Sequence, residues 1–148
     1  MKKGKILMKT VVFALGIAIA TAIIQLRSNV KDVLVCGNVI FCIIWGILLT
    51  ACGINAYFMN LCDALEHDKE LATTAFYLQI LCLALWCILF FAYGNFVFST
   101  AISIVLLAIS NVATVLFKRT GKKYFITMLF AEIWAVFLIF TSMIGVLE

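Results

Sequence analysis

Residues 33–59 read VLVCGNVIFCIIWGILLTACGINAYFM, a stretch with no charged side chain. A helix of about 20 apolar residues crosses the roughly 30 Å of hydrocarbon in a bilayer. Inside lipid, every backbone N–H and C=O must find its partner within the protein, which favours a helix for such a segment. No run in the chain alternates apolar and polar residues with period two, so a β-barrel is set aside.

Working outward, the same reading applies four more times. Residues 6–26 form a first apolar segment behind Lys2, Lys3, Lys5 and Lys9. Beyond residue 59 comes a polar stretch, Asp63-Ala64-Leu65-Glu66-His67-Asp68-Lys69-Glu70, and then a third segment over 71–93. Gly94-Asn95 is the whole break before the fourth, 96–117. Lys118-Arg119-Thr120-Gly121-Lys122-Lys123 precedes the fifth, 124–147. The breaks are short, so the expected architecture is an all-α integral membrane protein. Its five transmembrane helices form one up-and-down bundle over residues 1–148. Gly94 and Gly121 stand where a left-handed helix cap is expected, and Asn95 tolerates that conformation.

Composition agrees. Of 148 residues, 66% are apolar and 12% charged, proline is absent and mean hydropathy is +1.21. A soluble domain carries about 45–50% apolar and about 25% charged residues. A chain this small could not bury so much apolar surface in water. Soluble enzymes, disordered chains and nucleic-acid binders are excluded on that ground. No nucleophile–base pair, glycine-rich phosphate loop or paired carboxylate is visible, so no catalytic residue is assigned.

The net charge of +4 matters less than its placement. With the N-terminus in the cytosol, the inside holds Lys2, Lys3, Lys5, Lys9, Lys69, Lys118, Arg119, Lys122 and Lys123. The outside holds Arg27 and Lys31. The positive-inside rule selects this orientation, with the C-terminus outside. Ala18, Ala20 and Ala22 behind a basic start resemble a signal peptide, yet the apolar run continues to Leu26, so an uncleaved first helix is expected. The basic cluster at 118–123 also suits anionic lipid head groups, and Arg119, Tyr124 and Leu129 fit a loose sterol-contact pattern.

Helix contacts in lipid favour small residues, and Gly16 with Ala20, and Gly46 with Thr50, have the spacing for it. The amides Asn55, Gln79 and Asn111 are expected to bond to neighbouring helices. Gln79 lies two turns from Trp86 and so on the same face, the best placed of the three to line a cavity. Glu132 is the one acid deep inside a segment, a costly position that marks either function or a helix–helix contact. It stands two residues before Trp134 and faces elsewhere. The six cysteines, Cys36, Cys42, Cys52, Cys62, Cys82 and Cys87, show no CxxC spacing and read as small apolar fillers, not as a metal or disulfide framework.

Three tryptophans lie within segments, where indoles are uncommon: Trp45, Trp86 and Trp134. A buried indole N–H needs an acceptor or a polar cavity. Three on separate helices point to a shared aromatic cavity for a flat, largely apolar ligand.

These residues carry a resemblance. Trp45-Gly46-Ile47-Leu48-Leu49-Thr50-Ala51-Cys52-Gly53 is similar to the W-x-x-L-Y-x-x-M-G pattern of the TspO/MBR family, which comprises the tryptophan-rich sensory and translocator proteins. Gln79-Ile80-Leu81-Cys82-Leu83-Ala84-Leu85-Trp86-Cys87-Ile88-Leu89-Phe90-Phe91 is similar to Q-L-x-L-N-x-x-W-x-x-x-F-F, with Leu83 at the Asn position. Trp134 and Phe137 resemble W-V-x-F-A, and Phe117-Lys118-Arg119 falls at a basic turn. The family's long first loop is absent. The resemblance implies a five-helix fold, often a homodimer, that binds porphyrins and takes part in tetrapyrrole transport, sensing or light-dependent breakdown. It requires no cofactor, porphyrin being a ligand. The implied binding residues are Trp45, Gln79, Leu83, Trp86, Trp134 and Phe137. A bacterial plasma membrane is the expected location. Two other readings stand beside this one: a proton-coupled exporter of lipophilic compounds using Glu132, and a structural subunit of a membrane complex.

Overall fold

A computed structural model describes the backbone of residues 2–28 and 38–147, and the side chains of 9–28 and 39–147. Among these residues the chain forms α1 (Lys2–Arg27), α2 (Asn38–Leu61), α3 (Glu66–Cys87), α4 (Phe96–Thr120) and α5 (Phe125–Leu147). A π turn, Ile88–Ala92, extends α3. All five contain a stretch long and apolar enough to cross a membrane. Lys31, residues 33–37 of the expected second segment and Cys36 lie outside the described residues.

Each helix sorts its side chains by size and polarity. On α2 the buried stripe is Phe41, Trp45, Leu49, Cys52, Ala56 and Met59, while Ile40, Ile43, Ile44, Ile47, Ile54 and Phe58 point outward. The outward face is as apolar as the inward one, because lipid and not water lies beyond it. On α4 the buried stripe is Ser99, Ser103, Leu106, Ser110, Ala113, Phe117 and Thr120, alternating steps of four and three. Small residues there let α3 and α5 approach closely on its two sides. The hydroxyls return to α4's own carbonyls, Ser99 to Asn95 at 2.8 Å and Ser103 to Thr100 at 2.8 Å.

The helices run up and down, but neighbours in space are not always neighbours in sequence. The ring order is α1, α2, α5, α4, α3, closing back on α1. Helices α2 and α3 meet only sparingly, partly at the end where they are joined, where Asn60 Nδ2 donates to Thr73 Oγ1 at 3.2 Å.

The close approaches also differ from the expected ones. Gly16 and Gly46 have open space where a Cβ would stand. Thr50 bonds the Gly46 carbonyl of its own helix at 2.8 Å. Contact is made at Gly53, where a Cβ would lie 2.8 Å from Ala14 Cβ, and at Gly145, where it would lie 2.7 Å from the Phe96 ring. Spacing shows that two small residues share a face; it does not say whether that face meets a helix or lipid.

Helix α3 begins at Glu66, ahead of the apolar run that starts at 71. Glu66 and Asp68 in its first turn favour the positive end of the helix dipole, so part of the polar stretch is helical. Lys69 is buried there, 3.5 Å from Glu66 Oε1, and does not belong to a solvated face. At the other end Gly94 has φ +60°, the left-handed turn expected of it, and Asn95 Oδ1 caps α4 by accepting the Phe98 N–H at 3.2 Å. Gly121 is extended at φ 169°, not left-handed. The turn after α4 closes through the Tyr124 N–H on the Gly121 carbonyl at 3.0 Å and needs no reversal of hand.

Candidate functional site

The three indoles meet. Helix α2 presents Phe41 and Trp45 one turn apart, α3 presents Trp86, and α5 presents Trp134 and Phe137. Ring centroids of Trp45 and Trp86 are 5.9 Å apart, and those of Trp134 and Phe137 are 4.9 Å apart, both pairs stacked. Phe41 lies among them, 5.6 Å from Trp45, 6.0 Å from Trp86 and 5.2 Å from Trp134. It is fully buried. The three indoles therefore converge, and where a shared cavity was expected between them a phenyl ring stands at the centre. The π turn supplies an outer wall: Phe90 stacks on Trp86 at 4.7 Å, and Phe91 stands edge-on to Phe41 at 5.6 Å. Such pairs each contribute about 0.5–1.5 kcal/mol beyond their contact area.

Two of the indoles have partners on other helices. Trp45 Nε1 donates to Thr21 Oγ1 of α1 at 2.8 Å, and that hydroxyl donates to the Ile17 carbonyl at 2.7 Å. Trp86 Nε1 donates to Ser142 Oγ of α5 at 2.9 Å, and that hydroxyl donates to Leu138 at 2.9 Å. In both cases the helix orients a hydroxyl that then accepts the indole proton. Trp134 Nε1 is buried with no partner among the described residues. An unsatisfied buried donor costs about 1–3 kcal/mol, and a ligand acceptor would recover that.

The other expected residues divide. Leu83 and Gln79 are buried on α3. Gln79 Nε2 donates to Ser110 Oγ at 3.1 Å, which ties α3 to α4, and its Oε1 has no partner among the described residues. Asn55 Nδ2 reaches the Tyr124 carbonyl at 2.7 Å and so links α2 to the start of α5. Asn111 departs from expectation: it is exposed and bonds Leu107 of its own helix at 2.9 Å. An amide near a carbonyl one turn back satisfies itself without a neighbour. Tyr124, from the loose sterol pattern, is buried and does not face the lipid. Cys42, Cys52, Cys62, Cys82 and Cys87 carry free thiols.

Glu132 and Trp134 face different helices, as their spacing requires. Glu132 Oε2 lies 3.1 Å from Thr114 Oγ1 on α4. The Thr114 hydroxyl is also 2.8 Å from the Ser110 carbonyl, so its one proton is shared between two acceptors. The carboxyl thus belongs to the α4–α5 seam and not to the indole cluster. Glu132→Gln should leave thermal stability in detergent nearly unchanged, because the amide can bond Thr114 in either sense. Glu132→Leu should lose about 0.6 kcal/mol, and about 1.7 at most, the range for an interhelical bond in lipid. Equal losses in both variants would show that the Thr114 bond is not what holds Glu132.

Phe41, Thr21 and Ser142 are the site residues that sequence reasoning passed over. For Phe41 a signal existed, since it stands one turn before Trp45 on the same face. Nothing in the sequence singles out Thr21 or Ser142 from the other hydroxyls.

Comparison with curated proteins gives no match, and comparison with solved structures gives none either. The family model described as TspO/MBR matches residues 8–144, which covers α2, α3 and α4, most of α1 and α5, and the whole aromatic cluster. With five apolar spanning helices and a match over nearly its whole length, the chain is an integral membrane protein that belongs to the TspO/MBR family.

Proposed function

We propose that the indole cluster takes a planar, largely apolar ligand, with a porphyrin-type tetrapyrrole the class that family membership suggests. The ligand would be bound for transport, sensing or breakdown. The observation that carries this reading is the convergence of Trp45, Trp86 and Trp134 on Phe41, with the Trp134 N–H buried and unpartnered. Aromatic faces attract a flat π system in offset or edge contact. The free indole proton supplies one directional bond to an acceptor on it. Because Phe41 fills the centre, binding displaces its ring. The same reading places the protein in a bacterial plasma membrane with its basic end in the cytosol, as the distribution of lysines favours.

The test uses purified protein titrated with protoporphyrin and read by the shift of the porphyrin's Soret absorbance, which does not depend on the protein's own fluorescence. Trp45→Phe combined with Trp134→Phe removes one bonded and one unpartnered indole proton while keeping aromatic bulk. The expected result is a Kd raised about tenfold, equivalent to about 1.4 kcal/mol. An unchanged Kd in the double variant removes the proposed site.

The exporter reading rests on Glu132 and loses support from its place on the α4–α5 seam.

A further inference from the structure

At the end of the bundle away from the lysine-rich turn, a groove of about 470 Å³ runs between the last turn of α1 and the π turn. Ile24, Arg27, Ser28, Phe91, Tyr93 and Gly94 line it. Phe91 is part of its lining, and the same ring stands edge-on to Phe41 at 5.6 Å and to Trp86 at 6.0 Å. The groove therefore shares a wall with the indole cluster. Its polar groups are unequally free. The Ser28 hydroxyl donates to the Phe91 carbonyl at 3.0 Å, and Arg27 is the cation among the described lining residues. Arg27 is exposed, and none of the hydrogen bonds, ion pairs or ring contacts among the described residues involves it. The other described cations, Lys9, Lys69, Lys118, Arg119, Lys122 and Lys123, belong to the opposite end by their place in the helices. Tyr93, three-quarters exposed, stands at the rim, and Gly94 beside it adds no side chain.

A guanidinium and an aromatic ring lining one groove suit a ligand with a carboxylate at one edge of a flat apolar body. The guanidinium fork pairs two N–H donors with two carboxylate oxygens, and near a low-dielectric wall that pairing is strong. We propose that Arg27 is the anchor of an acid-binding lip. It would select planar amphipathic acids over their neutral counterparts and hold them against Phe91 at the edge of the cluster. This rests on the ligand reading above and narrows it to the anionic members of that ligand class.

The test compares protoporphyrin, a dicarboxylic acid, with its neutral dimethyl ester, on protein in phosphatidylcholine nanodiscs. Arg27→Gln should raise the Kd for the diacid about tenfold, the scale of one charge-assisted pair, and leave that for the diester within about twofold. Arg27→Lys should recover part of the loss, since it keeps the charge without the fork. Raising the salt concentration should weaken the diacid in the native protein and not in Arg27→Gln. Equal effects of Arg27→Gln on both compounds, or no effect on either, overturn the anchor and leave the ligand reading standing. Failure of both compounds to bind native protein overturns the two together. Repeating the titration in phosphatidylglycerol nanodiscs separates ligand from lipid. A persistent diacid preference supports the anchor, and its disappearance assigns Arg27 to the lipid phosphate instead.

Discussion

Phe41→Ala should strongly destabilise the protein, and should at the same time bind protoporphyrin at least as tightly as the native protein does. Phe41 is fully buried and has five aromatic neighbours, with Phe91 at 5.6 Å and Phe137 at 6.4 Å beside the three indoles. Truncating a buried Phe in a water-soluble core costs about 3–5 kcal/mol, part from transfer and part from the cavity left behind. In lipid the transfer part shrinks, because helices that separate within a bilayer keep their apolar surface out of water. The loss should therefore fall near the lower end of that range. The readout is the thermal midpoint in mild detergent. The vacated space lies between the indoles that the ligand is proposed to contact. In the native protein a ligand must first displace the ring; in Phe41→Ala that cost is absent. Protoporphyrin should bind Phe41→Ala at least as tightly as the native protein and restore part of the lost midpoint, since ligand at 100 times its Kd adds about 2.7 kcal/mol. A variant that loses stability and gains nothing from porphyrin would show that the cluster is a packing node only.

Phe41 also shows where sequence reading stops. Phe41 and Phe58 lie in the same helix within the same uncharged run, yet one is fully buried and the other half exposed. In water such a difference leaves a mark, because the outward positions turn polar. In lipid both faces are apolar, so the alternation that would separate them is erased. The number of spans and the left-handed turn at Gly94 were legible, because length, apolarity and, at that one position, glycine report them; the start of α3 within the polar stretch and the extended Gly121 were not. The indoles were legible because tryptophan is uncommon at that depth. Ring order was not. The spacing of Ser99, Ser103 and Ser110 shows that α4 has a small-residue face, but nothing in it says that α3 and α5, and not α2, lie against it. The partners of the indoles were hidden for the same reason. Thr21 and Ser142 resemble the hydroxyls that serve only their own helix, such as Thr100 and Thr141, until the neighbouring helix is in place.

Gly53→Leu should produce the second large effect, and its contrast with Gly46 makes the cause readable. The two glycines sit seven residues apart on α2 and look equivalent in sequence. At Gly46 a Cβ has open space around it. At Gly53 it would stand 2.8 Å from Ala14 Cβ, with the Thr10 carbonyl oxygen and the Val11 Cα each at 3.6 Å. A methyl fixed to a backbone cannot swing aside as a long side chain can, so α1 must move away from α2. Overpacking of this kind costs about 1–3 kcal/mol. Gly53→Ala should fall in that range and Gly53→Leu at or above its top. Gly46→Ala should stay within about 0.5 kcal/mol of native, as open surface positions do. The displacement should also reach the site. Two turns along the same seam, Thr21 of α1 accepts the Trp45 indole proton at 2.8 Å, and a bond of that length does not survive a shift of an ångström or more. Gly53→Leu should therefore alter the near-ultraviolet circular dichroism of the indoles as well as the thermal midpoint, although residue 53 touches no tryptophan in the cluster. Exchanging the two residues, Ala14→Gly with Gly53→Ala, moves the methyl to the other helix and should recover most of both signals. If Gly53→Leu and Gly46→Leu prove equally mild, the α1–α2 seam does not run where Ala14 and Gly53 place it, and the alignment of Thr21 with Trp45 falls with it.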